Sequence, residues 1–218
     1  MQQRQEKQPK QTGNVKNVSQ ETFRPPQQAR SRDTLRKVLK AAEKVLATGG
    51  IEEFTVAAVA DHAGMSVGTI YRRFENKEQL LHAVKAEMLD QLETAVTQAL
   101  AEAEPSLKGV TTAFTEAVAH TFGEHNKIFP ELLSGQRAEG VELGLRSLAK
   151  IQDALVEAAE PYREGVHEEA LRFAARSITG SCVHRAATCQ VWPDGLTWTA
   201  WADETAEMAL AYLTSPRI

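Results

Sequence analysis

Apolar residues recur at intervals of three and four along most of the chain, the spacing of one face of an α-helix. The clearest stripe begins near Ser31 and continues to Gly49 and Gly50, two residues that favour the end of a helix. Similar stripes follow, and no segment shows the convincing alternation of a β-strand. The pattern predicts nine helices, at about residues 31–48, 56–62, 67–73, 77–103, 106–123, 128–133, 141–160, 166–190 and 198–218. The predicted fold class is therefore all-α.

Residues 55–80 combine two short predicted helices with a tight turn between them. Thr55 is a candidate N-cap for the first helix, and Ser66 is a candidate N-cap for the second. Gly64 lies between them and adopts positive φ at little cost. Two helices joined in this way form a helix-turn-helix, whose second helix is of a size to enter the major groove of DNA.

The second short helix carries side chains that suit contact with DNA. Its N-terminal residues are small and permit close approach to base edges, and they are Ser66, Val67, Gly68 and Thr69. Hydroxyl and guanidinium donors for phosphates and bases come from Tyr71, Arg72 and Arg73. Lys77 adds a cation at the start of the next helix, beside backbone N–H groups that attract phosphate. Ile70 and Phe74 face the opposite way and are predicted to pack against the first short helix.

Charge is distributed unevenly and supports DNA binding by the N-terminal part. Residues 1–86 contain 15 Lys and Arg against 9 Asp and Glu, a net charge of +6, whereas the remainder contains 10 against 20, a net charge of −10. A purely structural role is the alternative for Tyr71, Arg72 and Lys77. The positive charge around them favours DNA contact.

The first 30 residues have the composition of a disordered basic arm. They contain eight Gln, three Pro and six basic side chains against two acidic ones. Arg24 and Arg30 either reach into a minor groove or remain solvated, and the sequence favours neither alternative.

The helix-turn-helix and the helix before it resemble the TetR-like transcriptional regulators. The resemblance runs through LRKVLKAAEKVLATGG and the pattern T-V-x-x-V-A-x-x-A-G-x-S-x-G-T-I-Y-x-x-F-x-x-K-x-x-L, which together cover about 50 contiguous residues. It implies that Thr55 and Tyr71 hold phosphates. It also implies groove or DNA-backbone contacts for 66–69 and Arg72, and a phosphate contact for Lys77.

Two residues depart from the usual pattern of that family. Arg73 stands where the family commonly has His or Tyr, and Met65 replaces a commoner Val. Met65 is expected only to repack the turn, whereas Arg73 changes the set of donors available to phosphate.

The C-terminal half contains no comparable motif, and the resemblance implies that it binds a ligand and forms a dimer. The predicted domains are thus a DNA-binding domain at 31–76 and a ligand-binding and dimerisation domain at 77–218. The helix at 166–190 is rich in small residues, which permit close approach of another helix. The last helix has an apolar stripe too aromatic to leave in water, formed by Trp198, Trp201, Met208 and Tyr212. Pairing of these two helices across a two-fold axis gives a four-helix interface, and a purely intramolecular core is the alternative for the stripe.

Candidate ligand-binding residues are the aromatic and polar side chains of this half. They are Phe114, His120, Phe122, Phe129, Phe173, Ser177 and Trp192, with Cys182 and His184 as further polar contributors. Aromatic residues at helical spacing more often fill a core than line a pocket, and periodicity does not distinguish the two arrangements.

Other classes of protein are disfavoured. A metal sensor needs convergence of side chains whose spacing matches no recognised ligand set, namely His120, His125, Cys182, His184 and Cys189. No catalytic or dinucleotide-binding motif occurs, so neither an enzyme nor a cofactor is predicted. No apolar run of about 18 residues and no signal-peptide pattern occurs, so the protein is expected to be cytoplasmic, without a membrane partner.

The sequence therefore predicts a homodimeric regulator of transcription, a repressor released from a palindromic operator by a small apolar or amphipathic effector. Effector binding is expected to shift the helix at 77–103 and so to change the separation of the two DNA-binding domains. The alternative is a ligand-independent or architectural DNA-binding protein, which binds with little sequence preference and ignores small molecules.

Overall fold

A computed structural model describes residues 27–133, 138–189 and 191–215. These residues form nine α-helices, namely α1 (Gln27–Glu53), α2 (Val56–Ala63), α3 (Val67–Tyr71), α4 (Lys77–Glu102), α5 (Leu107–Glu124), α6 (Phe129–Leu133), α7 (Ala138–Ala159), α8 (Glu168–Thr188) and α9 (Trp198–Thr214). A 3-10 turn at Glu160–Tyr162 follows α7, and no strand occurs in the described ranges. The all-α prediction is confirmed. Residues 1–26 of the predicted basic arm, including Arg24, lie outside the described residues.

The first helix differs from its prediction at both ends. It begins at Gln27 rather than Ser31, because the residues at 27–30 are good helix formers that an apolar stripe does not reveal. Regular helix ends at the predicted glycine pair, where Gly50 has φ 62° and ψ −166°. A short helical stretch to Glu53 follows this kink. The positive φ is strained for any residue with a Cβ atom, so the kink depends on glycine.

The predicted caps of α2 and α3 are present, and α4 is capped in the same way. Thr55, Ser66 and Asn76 each accept a hydrogen bond from the backbone N–H three residues later, at 3.1, 3.3 and 2.8 Å. Gly64 ends α2 in the left-handed conformation, with φ 63° and ψ 38°. Capping of this kind stabilises short helices by about 1 kcal/mol each, which matters for a five-residue helix such as α3.

Helices α1 to α3 form a small unit, called the head below, and α4 to α9 form the larger body. The head packs around apolar residues that include Val38, Leu46, Phe54, Val59, Ile70 and Phe74, all buried. In the body, α5 is central and packs against α4, α7, α8 and α9. Lys85 connects two body helices, because its ammonium on α4 donates to the Gly140 carbonyl of α7 at 2.8 Å, and burial lowers its pKa.

Two hydroxyl groups in the body are buried without a hydrogen-bond partner among the described residues. They belong to Thr111 of α5 and Ser147 of α7. By contrast, the hydroxyl of the neighbouring Thr115 donates to the Thr111 carbonyl at 2.8 Å. A buried polar atom without a partner lowers stability, so these two hydroxyls are unusual among the buried polar groups of the described residues.

We expect Thr111→Val to raise the free energy of unfolding by about 1 kcal/mol, because a methyl group replaces an unpaired buried hydroxyl of similar size. Thr115→Val is the matched control, and it is expected to lower stability by about 1 kcal/mol because it removes a formed hydrogen bond. Urea denaturation of both variants measures the difference. Equal stability of the two variants would contradict the assignment of Thr111 as the unpaired group.

Candidate nucleic-acid interface

Helix α3 is held to the head by one side and exposed on the other. Ile70 and Phe74 are buried against the head core, as the sequence predicted. Tyr71 is 52% exposed, although it is a large aromatic residue, and Val67 is 39% exposed. The predicted N-terminal contact residues and the basic pair are also at the surface, namely Ser66, Gly68, Arg72 and Arg73, with Thr69 half-buried. The exposed side of α3 therefore presents the predicted contact set to solvent.

Hydrogen bonds orient several of these side chains before any partner binds. The Ser66 and Thr69 hydroxyls lie 2.9 Å apart, and Arg72 Nη2 donates to Thr69 Oγ1 at 3.2 Å. A guanidinium held in this way loses less conformational freedom when it contacts a phosphate or a base. Thr55, the other predicted phosphate contact, is exposed at the start of α2.

Gly68 lies on this surface, and the fold does not require a glycine there. A Cβ atom built at Gly68 meets no heavy atom within 4 Å. Its φ is not in the left-handed region, so the backbone is accessible to other residues. The small size of this residue leaves the backbone of α3 open to close approach from outside.

Arg73 has a role inside the protein that its sequence position did not reveal. Its Nη2 atom donates to the Ser31 hydroxyl at 2.8 Å and to the Ser31 carbonyl at 3.1 Å. The contact holds the segment after α3 against the first turns of α1. The departure from the family pattern at Arg73 thus replaces an aromatic ring with a link between two parts of the head.

Lys77 also has a contact inside the protein that its position in the sequence did not reveal. It is half-buried, its Nζ donates to the Ile51 carbonyl at 2.9 Å, and the ammonium lies 5.8 Å from the centre of the Phe54 ring. The phosphate contact of Lys77 stays a prediction.

The candidate ligand residues do not converge on one site. Phe114, Phe122 and Phe129 are buried, and the rings of Phe122 and Phe129 stack with centres 4.1 Å apart. His120 is exposed on α5, where its Nε2 lies 3.5 Å from Glu124 Oε1. His120 thus lies apart from the buried pair of Phe122 and Phe129, and the ligand-binding role of these residues stays a prediction.

Phe173 also lies apart from that core. It is 55% exposed on α8, and its ring centre lies 5.3 Å from that of Tyr212 on α9. The two rings belong to an exposed apolar surface that also includes Met208.

Ser177, His184 and Trp192 do share a site, a surface groove of about 680 Å³ along the outer side of α8. The rest of its lining is small or polar, with one further tryptophan, and consists of Gly180, Ser181, Arg185, Thr188, Cys189, Asp194 and Trp201. Cys182 is fully buried beneath it, and burial raises the pKa of its thiol to about 12. The thiol therefore stays protonated and unreactive at neutral pH.

The sequence did not reveal the importance of Arg185, a buried arginine that organises this region. Its guanidinium pairs with Asp194, donates to the Leu196 carbonyl at 2.7 Å, and lies 5.0 and 5.6 Å from the rings of Trp198 and Trp201. The backbone N–H of Leu196 and then this guanidinium lower the pKa of Asp194. The turn before α9 is thereby fixed to α8.

Two further features are absent from the described ranges, a cluster of metal ligands and a membrane-spanning helix. No group of three or more His, Cys, Asp or Glu side chains there has the arrangement to hold a metal ion. No helix in those ranges combines enough length and apolar character to cross a bilayer.

Comparison with known proteins points to one family. Residues 38–84, which span most of the head and the start of α4, match the family model described as bacterial regulatory proteins, tetR family. The transcriptional regulator SrpR of Pseudomonas putida is 28% identical over 140 residues, which are 64% of this chain and 61% of that protein. The repressor KstR2 of Mycolicibacterium smegmatis is 35% identical over 99 residues, which are 44% of this chain and 47% of that protein. This chain thus spans less than two thirds of the length of either relative.

Solved structures share the fold at low sequence identity. The regulator FadR from Bacillus subtilis, solved in complex with stearoyl-CoA, aligns with 84% of this chain and 99% of its own at 19% identity, with a TM-score of 0.65. The fatty acid degradation regulator FadR from Bacillus halodurans aligns with 84% of this chain and 97% of its own at 19% identity, with a TM-score of 0.68. The family-model match covers the helix-turn-helix, so residues 38–84 of this chain form a domain of the tetR family of bacterial regulatory proteins.

Proposed function

We propose that the protein is a homodimeric repressor that binds a palindromic operator through α3 and releases it on binding an amphipathic effector. The proposed domains are a DNA-binding domain at 31–76 and a ligand-binding and dimerisation domain at 77–218. The observation that carries the DNA part is the exposed side of α3, where an open glycine backbone lies beside Tyr71 and a pre-oriented Arg72.

Each feature of that side suits a duplex. Gly68 permits the helix backbone to approach the edge of a groove, and Tyr71 offers a hydroxyl at the end of an exposed ring. Arg72 offers several N–H donors at a fixed position. Thr55, at the N-terminus of α2, adds a hydroxyl and the positive end of that helix.

The dimer part of the proposal rests on the outer sides of α8 and α9. Phe173, Met208 and Tyr212 are large and exposed there, at 55%, 58% and 37%. Gly180 of α8 has open space at its Cβ position, so a second helix can approach closely. Trp198 and Trp201 are half-buried against Arg185, so the predicted aromatic stripe is in part internal. A two-fold axis between these surfaces relates two copies of α3 and requires a palindromic site.

The effector part rests on the centre of the body. Thr111 and Ser147 place unpaired hydroxyls in an apolar core, on α5 and α7, and Phe114 lies one turn along α5 from Thr111. Such a region suits a molecule that is mostly apolar with a few polar groups. Because α5 also packs against α4, a ligand there alters the contacts of the helix that leads to the head. The complex of Bacillus subtilis FadR with stearoyl-CoA suggests a long-chain acyl thioester as the first compound to try.

The DNA part is tested by selection of sheared genomic DNA on the purified protein, followed by sequencing of the retained fragments. We expect an enriched inverted repeat for the wild type and its loss for Tyr71→Ala/Arg72→Ala. On that fragment, Gly68→Ala is expected to weaken binding about tenfold, since a methyl group prevents close approach. Gly144→Ala, at a body glycine whose Cβ position is also open, is the matched control and is expected to bind as the wild type.

The salt dependence of the same complex separates specific from architectural binding. The logarithm of the association constant is expected to fall linearly with the logarithm of salt concentration, with a shallower slope when Arg72 is removed. Retention without any enriched sequence, equal for the wild type and the double variant, would contradict the repressor proposal.

The dimer part predicts a mass in solution of twice the chain mass of 24.0 kDa, measured by light scattering. Met208→Asp/Phe173→Asp is expected to give the monomer, because two charges are placed in the apolar interface. Val141→Asp is the control, at an exposed apolar residue of α7. A wild-type monomer, or a double variant that remains dimeric, would contradict the proposed interface.

The effector part predicts that stearoyl-CoA lowers the affinity of the protein for the selected fragment, as measured by fluorescence anisotropy. Coenzyme A without an acyl chain is the control and is expected to leave the affinity unchanged, because it lacks the apolar part. The same affinity with and without stearoyl-CoA would rule out acyl thioesters of this length as the effector.

A further inference from the structure

The backbone of one head residue, Ile51, is bound from two sides by residues of the body. The backbone N–H of Ile51 donates to Glu131 Oε2 of α6 at 3.1 Å, across 80 residues of sequence. The carbonyl of the same residue accepts from Lys77 Nζ, at the first residue of α4, at 2.9 Å. Both polar groups of Ile51 are thus used to connect the C-terminal end of α1 with two body helices.

The kink at Gly50 makes this arrangement possible. Its φ of 62° and ψ of −166° break the α1 ladder, so the next N–H is free to meet a side chain. A Cβ atom at Gly50 would lie 3.4 Å from Glu131 Oε1, which is an ordinary van der Waals contact. The positive φ, rather than a lack of space, therefore explains why the second residue of the pair is glycine.

Helix α6 is firmly part of the body. Phe129 stacks on Phe122 of α5, with ring centres 4.1 Å apart, and Ile128 and Leu132 are buried. A displacement of α5 is therefore transmitted to α6 through a packed aromatic pair, and from α6 to α1 through the Glu131 carboxylate. Lys77 opposes such a displacement, because it holds the carbonyl of the same residue, Ile51, to the start of α4.

We propose that Glu131 is the positioning residue that couples the body to the head, by fixing the backbone of Ile51 relative to α4. This inference rests on the proposed function, since it describes how the state of the ligand-binding body reaches the DNA-binding surface. The Glu131 contact is a second connection between the body and the head, in addition to the continuous backbone of α4. The head is rigidly placed when the Glu131, Ile51 and Lys77 contacts are all present, and it is looser when the carboxylate is absent.

The test compares Glu131→Ala, Glu131→Gln and Glu157→Ala in the full-length chain. Glu131→Gln keeps an oxygen that can accept the Ile51 N–H, and Glu157 is an exposed glutamate of α7 that serves as the matched control. Hydrogen exchange of the Ile51 amide is expected to be at least about tenfold faster in Glu131→Ala. The amide is expected to remain close to wild type in the other two variants.

Affinity for the selected DNA fragment is the second readout. Glu131→Ala is expected to bind about tenfold more weakly, because a looser head must be ordered on binding, and with an unchanged salt slope, because no phosphate contact is lost. Glu131→Gln is expected to restore most of the affinity, which a change in general stability would not explain.

Wild-type exchange at Ile51 in Glu131→Ala would overturn the inference, as would faster exchange with wild-type affinity. If the wild-type protein itself selects no DNA, the proposed function fails. The exchange measurement would then still decide whether Glu131 holds the head to the body.

Discussion

The arrangement of the molecule depends on α4, because this helix belongs to two cores. Leu80 and Val84 are fully buried near its start, where α4 packs on α1, and Met88, Leu92 and Val96 are buried further along, where it packs on α5 and α7. A helix of 26 residues that has a buried side along most of its length behaves as a rigid connection about 40 Å long. Under the proposed function, a small rotation of its C-terminal part against α5 becomes a larger movement of the head.

The sequence predicted those parts of the fold that depend on local physics. The positions of the helices follow from the spacing of apolar residues. The N-terminal ends follow from capping residues such as Thr55, Ser66 and Asn76, whose side chains bond to a backbone N–H only three residues later. The exposed side of α3 was also accessible to prediction, since burial of Ile70 and Phe74 leaves the intervening residues on the opposite side.

The roles of charged residues were harder to predict because their partners are remote in sequence. Their positions predicted that Lys77 and Arg73 contact phosphate. In the structure, Lys77 bonds to a residue 26 positions away and Arg73 to a residue 42 positions away. Arg185 is the same case in the body, where its stacking on two tryptophans requires the turn before α9 to fold back. The candidate ligand-binding residues divide between the core and the surface for a different reason. Periodicity places Phe122 and Phe173 on helices but does not say which side of each helix is covered.

The strength of the Ile51 contacts suits a switch. A hydrogen bond to a charged group contributes about 1.5–3 kcal/mol, and the coupling free energies between sites in regulated proteins are typically about 1–3 kcal/mol. One such bond is therefore enough to bias the head between two placements and weak enough for a ligand to overcome. A ligand acts only through its different affinity for the two placements, so the apolar contacts it gains in the body must exceed this bias. The Phe122 and Phe129 stack gives the body a rigid surface through which those contacts are converted into displacement of a single carboxylate.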